Sequence, residues 1–301
     1  MDRHRVSLRR WLRALLLRLH VLPTLSGQLD HWAEWLVRTR FAGWSDDEIK
    51  EALAELGRKR DHVLDGARIV SGDTVADIGA GTGLLTLGAV ERVGPDGDVL
   101  AIDISVDALE ELRRHALAAN ISYLVGGAEV LPLPDNSLDA VLTRSVLIYV
   151  VDKEEAAREL FRVLRPGGRA SLFEPINSAN LRLTDALDFS PLGELGDRVR
   201  AWNEAFYETP DDPMINFDER DLEHFFTEAG FGDVGLELGA DERDVAGERY
   251  LNQVGAPGRP TLRERLRDHF EAVDVERIAE FVRGRTVPVR FPHVFLTATK
   301  P

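Results

Sequence analysis

The chain has 301 residues, of which 44% are hydrophobic and 30% charged, and it contains no cysteine. This composition is typical of a globular protein with a large core, and the lack of cysteine excludes disulfides, thiolate zinc sites and a cysteine nucleophile. The net charge of −15 argues against a nucleic-acid partner, because neutralising phosphates requires a basic surface.

The first predicted element is a basic amphipathic helix within residues 1–25. The arginines in its apolar run and the lack of a small-residue cleavage site argue against a secretory signal, so we expect a cytoplasmic protein. Residues 8–19 are interpreted either as a helix docked on the body or on a second subunit of a homodimer, or as a helix on an anionic membrane surface. The apolar face of this predicted helix consists of Leu8, Trp11, Leu12, Leu15, Leu16 and Leu19. The opposite face carries Arg9, Arg10 and Arg13.

Residues 26–72 predict a helical cap region. Ser45 is a suitable N-cap for its second helix, and Glu48 completes a capping box. The region also carries Trp32, Trp35 and Trp44. These tryptophans are interpreted either as core residues or as one wall of a pocket, since aromatic rings bury large areas and can hold flat substrates.

Residues 73–175 alternate predicted strands and helices in a regular way. This alternation is typical of an α/β protein whose parallel sheet is covered by helices on both faces. The helices are predicted near residues 84–93, 106–119 and 153–164. The strands are predicted at TVADIG, DVLAIDI, SYLVGGA, LDAVLTRSV and RASLFEP.

The last part of the chain continues the sheet with two interruptions. Strands are predicted at Val234 to Leu238 and at HVFLTAT near the end, which brings the predicted sheet to seven strands. Insertions are predicted at about 177–217 and 243–288. The second contains the helical sequence TLRERLRDHFEAVDVERIAEFVRGR. Because no linker separates these parts, residues 73–301 are interpreted as one core with two insertions.

A glycine-rich stretch, VADIGAGTG, follows the first apolar run of this core. Glycines at every second position between a strand and a helix let a ligand approach the main chain at the carboxyl edge of a parallel sheet. A phosphate-binding P-loop is excluded because no Gly-Lys-Ser/Thr follows, and Leu84 makes an NAD fingerprint a poorer fit. Asp103 ends the second strand twenty residues beyond Gly83, where a carboxylate binds ribose hydroxyls, so a nucleoside-bearing ligand is expected.

Two longer sequences complete the pattern: GGAEVLPLPDNSLDAVLTRSVLIYV and ARELFRVLRPGGRASLFEP. Together with VADIGAGTG and AIDIS, they resemble the class I S-adenosylmethionine-dependent methyltransferases, particularly the ubiquinone/menaquinone-biosynthesis-like group. The resemblance covers roughly residues 60–175 with the motifs in the correct order. It implies a Rossmann-like, seven-stranded, mostly parallel sheet, with helices on both faces, and S-adenosylmethionine as cofactor.

The resemblance also implies roles for individual residues. The glycine loop would pass under the methionine end of the cofactor, near Asp77, while Asp103 would bind the ribose. The usual acidic position beside the adenine is Gly127 here, so Ala128 or Glu129 would supply that contact. The full set of implied cofactor-binding residues is Asp77, Gly79, Ala80, Gly81, Gly83, Asp103, Ile104 (against the adenine), Ala128, Glu129, and Arg144 and Ser145 on the methionine side.

Methyl transfer from a sulfonium needs alignment of donor and acceptor, and a general base only where the acceptor loses a proton. The candidate catalytic residues are Glu174, interpreted either as a base or as a residue that caps the helix or holds a loop, and Tyr149, interpreted as a packing or orienting residue. We expect a small or medium organic acceptor and no metal. The alternatives are a quinone or lipid acceptor at a membrane surface, and a non-catalytic S-adenosylmethionine-binding partner subunit.

Overall fold

The computed structural model describes residues 29–208 and 211–301. The predicted basic helix within residues 1–25, with its alternative membrane and dimer contacts, therefore lies outside the described residues.

Seven strands form one sheet in the described chain: β1 Thr74–Ile78, β2 Asp98–Asp103, β3 Ile121–Val125, β4 Leu138–Arg144, β5 Leu164–Pro175, β6 Gly232–Ala246 and β7 Thr286–Thr299. Their order across the sheet is β3-β2-β1-β4-β5-β7-β6. The first five strands are parallel, whereas β7 is antiparallel to both of its neighbours. The predicted α/β class with a mostly parallel sheet is confirmed.

Helices surround this sheet: α1 His31–Glu34, which continues as a π-helical turn Trp35–Thr39, α2 Asp46–Gly66, α3 Leu84–Val93, α4 Val106–His115, α5 Lys153–Val163, α6 Leu183–Ala186, α7 Glu194–Tyr207, α8 Glu219–Glu228, α9 Gly247–Asn252, α10 Leu262–Arg267 and α11 Ala272–Arg283. The predicted capping box is present: Ser45 Oγ accepts from the Glu48 amide, and the Glu48 carboxylate accepts from the Ser45 amide. Within the described residues, no helix has the length and apolar content needed to cross a membrane.

The sheet is covered on both faces because side chains of the buried strands alternate in direction. On one face Val75 belongs to a core cluster with residues of α2 and α3. On the other face Ala76 and Ile78 belong to a cluster with residues of α5 and α8. Since β1 lies between β2 and β4, the strand order reverses beside it, and the carboxyl ends of these strands frame a crevice where ligands of open α/β sheets bind.

The β6–β7 hairpin is longer than predicted. Its ladder runs from Gly232 paired with Thr299 to Ala246 paired with Thr286, so residues 243–246 and 286–288 are strand rather than insertion. The sequence GADERD within β6 is polar and lacks an apolar alternation, which hid this extension. Backbone pairing to β7, whose Val287 and Val289 are buried, extends the strand despite that polarity.

The inserted segments build a second core beside the sheet. Residues of α6, α7 and α11 contribute to one buried cluster that includes Leu187, Val199 and Ile278, together with the distal ends of β6 and β7. The predicted helical insertion forms two helices, α10 and α11, after the short α9. The inserted helices thus pack against the distal ends of β6 and β7 and extend the core beyond the rest of the sheet.

Candidate functional site

The glycine loop after β1 has a backbone that other residues would strain. Gly79, Gly81 and Gly83 have φ angles of 71°, 52° and 95°, which are left-handed and favour glycine. A Cβ atom at Gly79 would lie 2.3 Å from Val146 Cγ2, and one at Gly83 would lie 2.2 Å from Leu112 Cδ1. The loop therefore presents bare main chain at the sheet edge, and α3 begins directly after it.

Asp77 lies beneath this loop at the end of β1. Its side chain is buried, and Thr86 Oγ1 donates a hydrogen bond of 2.6 Å to its Oδ2 atom. Burial raises the pKa of Asp77 to about 7, while the hydrogen bonds from Thr86 oppose the rise. Asp77 thus ties the start of α3 to the base of the loop.

Asp103 joins the end of β2 to the same loop. Its Oδ2 atom accepts from the Gly81 amide at 2.7 Å, and its Oδ1 atom accepts from the Ser105 amide at 2.8 Å. Burial raises its pKa; these amides oppose the rise and the nearby charge of Asp30 adds to it. Because each carboxylate oxygen has two lone pairs, Asp103 can accept further hydrogen bonds from a ligand.

The predicted adenine side carries exposed apolar surface. Ile104 is 56% exposed, and a Cβ atom built on Gly127 would lie 3.6 Å from its Cγ2 atom. Ala128 is buried close by in sequence. Glu129 is partly exposed, and its Oε1 atom accepts from the Asp152 amide at 2.9 Å. One oxygen of Glu129 is therefore engaged in holding the N-terminus of α5.

The turn after β4 is held by Glu174 from the end of β5. Its carboxylate accepts from the amides of Val146 at 2.9 Å, Leu147 at 3.0 Å and Ile148 at 3.3 Å. Glu174 is 2% exposed; burial raises its pKa to about 7, and the three amides oppose this rise. Of the two interpretations of Glu174, this geometry is that of a residue that holds a loop.

Ser145 begins this turn with a φ angle of 55°, a conformation that is costly for a residue with a side chain. Its amide donates to the Phe173 carbonyl at 2.8 Å, so β5 holds the strained turn through both Phe173 and Glu174. Arg144 precedes it at the end of β4, and its guanidinium donates to Ser145 Oγ at 3.5 Å. The turn therefore sets the position of a cation at the crevice.

Tyr149 ends the turn and contacts the cap region. Its ring meets the edge of Trp32 with centroids 4.8 Å apart. Burial raises the pKa of Tyr149 to about 12, so the phenol is protonated at neutral pH. Trp32 thus packs against Tyr149 at the crevice. Arg40 lies in the same region, and sequence reasoning missed it because arginine is common in this chain and no motif includes position 40.

Comparisons with known proteins agree with this architecture. A family model described as a methyltransferase domain matches residues 76–172. The ubiquinone/menaquinone biosynthesis C-methyltransferase of Yersinia enterocolitica is 33% identical over 178 residues, which are 57% of this chain and 71% of that protein. The corresponding enzyme of Hahella chejuensis is 35% identical over 174 residues, covering 56% of this chain and 70% of that protein.

One solved structure shows the same fold. A methyltransferase structure from Bacillus halodurans has a TM-score of 0.55 at 17% identity and covers 81% of this chain and 99% of that one. With the sheet and its glycine loop, these likenesses establish that the chain belongs to the class I S-adenosylmethionine-dependent methyltransferases, in the ubiquinone/menaquinone-biosynthesis-like group. Its cofactor is S-adenosylmethionine, and the bare glycine loop beside Asp103 fits that ligand.

Proposed function

We propose that the carboxyl edge of β1, β2 and β4 binds S-adenosylmethionine through the residues predicted from the sequence, and that the acceptor is a small or medium organic molecule beside Tyr149. The observation that carries this proposal is the link between Asp103 and Gly81. It places a buried carboxylate and a side-chain-free loop together at the reversal of the strand order. Asp103 would accept the ribose hydroxyls, and the exposed Ile104 would cover one face of the adenine.

The remaining predicted residues would hold the methionine end. S-adenosylmethionine, when bound, supplies a methyl group on a positively charged sulfur. Asp77, fixed by Thr86, would lie near the methionine amino group. Arg144, which lacks a carboxylate partner among the described residues, would bind the methionine carboxylate. The turn at Ser145 keeps this guanidinium at the crevice.

Glu174 would act as a positioning residue rather than as a base. Both of its oxygens accept from amides of the turn that carries Tyr149, so its proposed contribution is to fix that turn. Tyr149 would orient the acceptor through its protonated hydroxyl group, against the ring of Trp32. The chain would thus promote transfer mainly by alignment.

The test of the cofactor site is the affinity for S-adenosylhomocysteine, measured by calorimetry on the full chain. Asp103→Asn removes the charge that would bind the ribose and weakens the amide contact to the loop. We expect at least about a tenfold loss of affinity, since hydrogen bonds to charged groups contribute about 1.5–3 kcal/mol. Glu91→Gln, an exposed change on α3, is the control and should bind like the wild type. Equal affinities for the two variants would refute the assigned role of Asp103.

A second candidate function is methylation of a quinone or lipid at a membrane surface, by a cytoplasmic protein with peripheral membrane contact. Two observations favour it: the relatives are named for ubiquinone/menaquinone biosynthesis, and residues 8–19 carry a basic amphipathic pattern. Basic residues near an anionic surface contribute about 1 kcal/mol each. Reversing the charge of three of these residues should therefore change vesicle binding by a measurable amount.

Flotation of the full chain with vesicles of anionic phospholipid tests this second candidate. The variant in which Arg9, Arg10 and Arg13 are all changed to Glu should lose vesicle binding that the wild type shows. Equal behaviour of the two chains would eliminate the membrane role. The same two proteins are also compared by sedimentation without vesicles. A wild type that sediments as a homodimer and a variant that sediments as a monomer would instead support docking of residues 1–25 on a second subunit.

A further inference from the structure

Arg40 presents a guanidinium that has no counter-ion among the residues that the structure describes, beside the proposed acceptor position. It follows the π-helical turn Trp35–Thr39, and its amide donates to the Trp35 carbonyl at 2.9 Å. Its Cζ atom lies 5.1 Å from the centroid of Trp35 and 5.2 Å from that of Phe41. Contacts with ring faces fix the plane of a guanidinium and leave its N–H groups available for an oxyanion.

The carboxylate whose charge acts on Arg40, and the two buried carboxylates on the sheet side of the crevice, are already bound to other groups. Glu55, whose charge acts on Arg40, accepts from Lys59 Nζ at 2.6 Å. Glu174 accepts from the backbone amides of the turn, and Asp77 accepts from Thr86. Within residues 29–208 and 211–301, no carboxylate forms an ion pair with Arg40. A half-buried charge of this kind is stabilised when a ligand supplies the missing partner.

Two guanidinium groups stand at this crevice, whereas the cofactor has one carboxylate. Burial, together with the positive charge of Arg144, lowers the pKa of Arg40 to about 10, so the two guanidinium groups are close enough to repel each other. Arg144 stands at the end of β4, on the methionine side of the crevice. Arg40 stands on the cap side, in the segment whose Trp32 meets Tyr149 and whose Leu36 lies 3.1 Å from a Cβ atom built on Gly81. It is therefore one cation more than the cofactor requires.

We propose that Arg40 binds an oxyanion of the methyl acceptor, so that the substrate is an aromatic or other flat molecule that carries a carboxylate or a phosphate. The proposal rests on the proposed function, because it assumes that the cofactor occupies the glycine loop beside Arg144. Trp32 and Tyr149 provide the apolar wall for the flat part of such an acceptor, and the guanidinium of Arg40 provides bidentate recognition of its anionic group.

The test uses the full chain saturated with S-adenosylhomocysteine and titrated with benzoate, phenyl phosphate and the neutral isostere benzamide. We expect at least one of the two anions to bind about tenfold tighter than benzamide or better, as charged hydrogen bonds allow. The stronger of the two distinguishes a carboxylate from a phosphate. If benzamide binds as tightly as both anions, or if neither anion binds to the loaded protein, the proposal is wrong.

Variants of one helical segment assign the effect to Arg40. Arg40→Gln should reduce the affinity for the anion about tenfold or more and leave that for S-adenosylhomocysteine unchanged, while Arg40→Lys should retain part of the preference. Arg38→Gln is the matched control, because Arg38 is exposed and pairs with Glu34. Unchanged anion affinity in Arg40→Gln would overturn the proposal. Failure of the wild type to bind S-adenosylhomocysteine would instead refute the proposed function.

Discussion

Two buried carboxyl groups, Asp77 of β1 and Glu174 of β5, hold the backbone segments that form the candidate site. Burial raises the pKa of each to about 7. Each is held by donors of the chain itself, Asp77 by Thr86 and Glu174 by three amides. Such groups are costly to bury, and both fix a backbone segment at the crevice. The free energy that it costs to bury these two carboxyl groups therefore serves to hold the backbone of the site in place.

This cost predicts a pH dependence of stability. The folded chain raises the pKa of Glu174 from 4.5 to about 7, so it binds more protons than the unfolded chain between these values. The stability from this group is complete below the unfolded pKa and is lost as the pH rises through 7. The free energy of unfolding of the wild type should therefore fall, relative to that of Glu174→Gln, by at most about 1.4 kcal/mol per pH unit.

Denaturant unfolding of the two proteins at several values between pH 5 and pH 8 (roughly the window that these pKa values define) measures the difference. Asp77 contributes equally to both proteins and cancels. Glu91→Gln, on the exposed side of α3, should follow the wild type throughout. Parallel curves for the wild type and Glu174→Gln would contradict the assignment of Glu174 as a buried group with a raised pKa.

At the scale of elements, the strands that carry the glycine loop and Asp103 could be predicted from the sequence. Each of β1, β2 and β4 is an apolar run buried on both faces, so the pattern of hydrophobic residues defines it. The loop after β1 was predicted because its glycine spacing reflects a backbone requirement. The extension of β6 could not be predicted, because its polar sequence is strand only through pairing with β7.

The cap side of the site could not be predicted for a related reason. Cap elements from distant parts of the chain meet there: Trp35 Nε1 donates to the Val254 carbonyl at 3.4 Å, and a Cβ atom built on Gly258 would lie 3.3 Å from His31. Leu36 lies over the glycine loop, 3.1 Å from a Cβ atom built on Gly81. These long-range contacts determine where Arg40 lies, and no local spacing in the sequence encodes them.

In the molecule as a whole, the crevice carries positive side chains although the net charge of the chain is negative. The chain carries −15 overall, yet Arg40 and Arg144 stand together at the crevice, and Arg259 acts on Tyr149 from the cap. The overall field would repel an anionic acceptor, so recognition of such a molecule would depend on these local cations.

The edge of β1, β2 and β4 should bind S-adenosylmethionine in preference to a dinucleotide. Calorimetric titration of the full chain with S-adenosylmethionine, and separately with NAD⁺, tests it most directly. We expect one S-adenosylmethionine site per chain and an affinity for NAD⁺ at least about a hundredfold weaker, a difference of about 2.7 kcal/mol. Equal affinities for the two ligands, or no binding of S-adenosylmethionine, would contradict it.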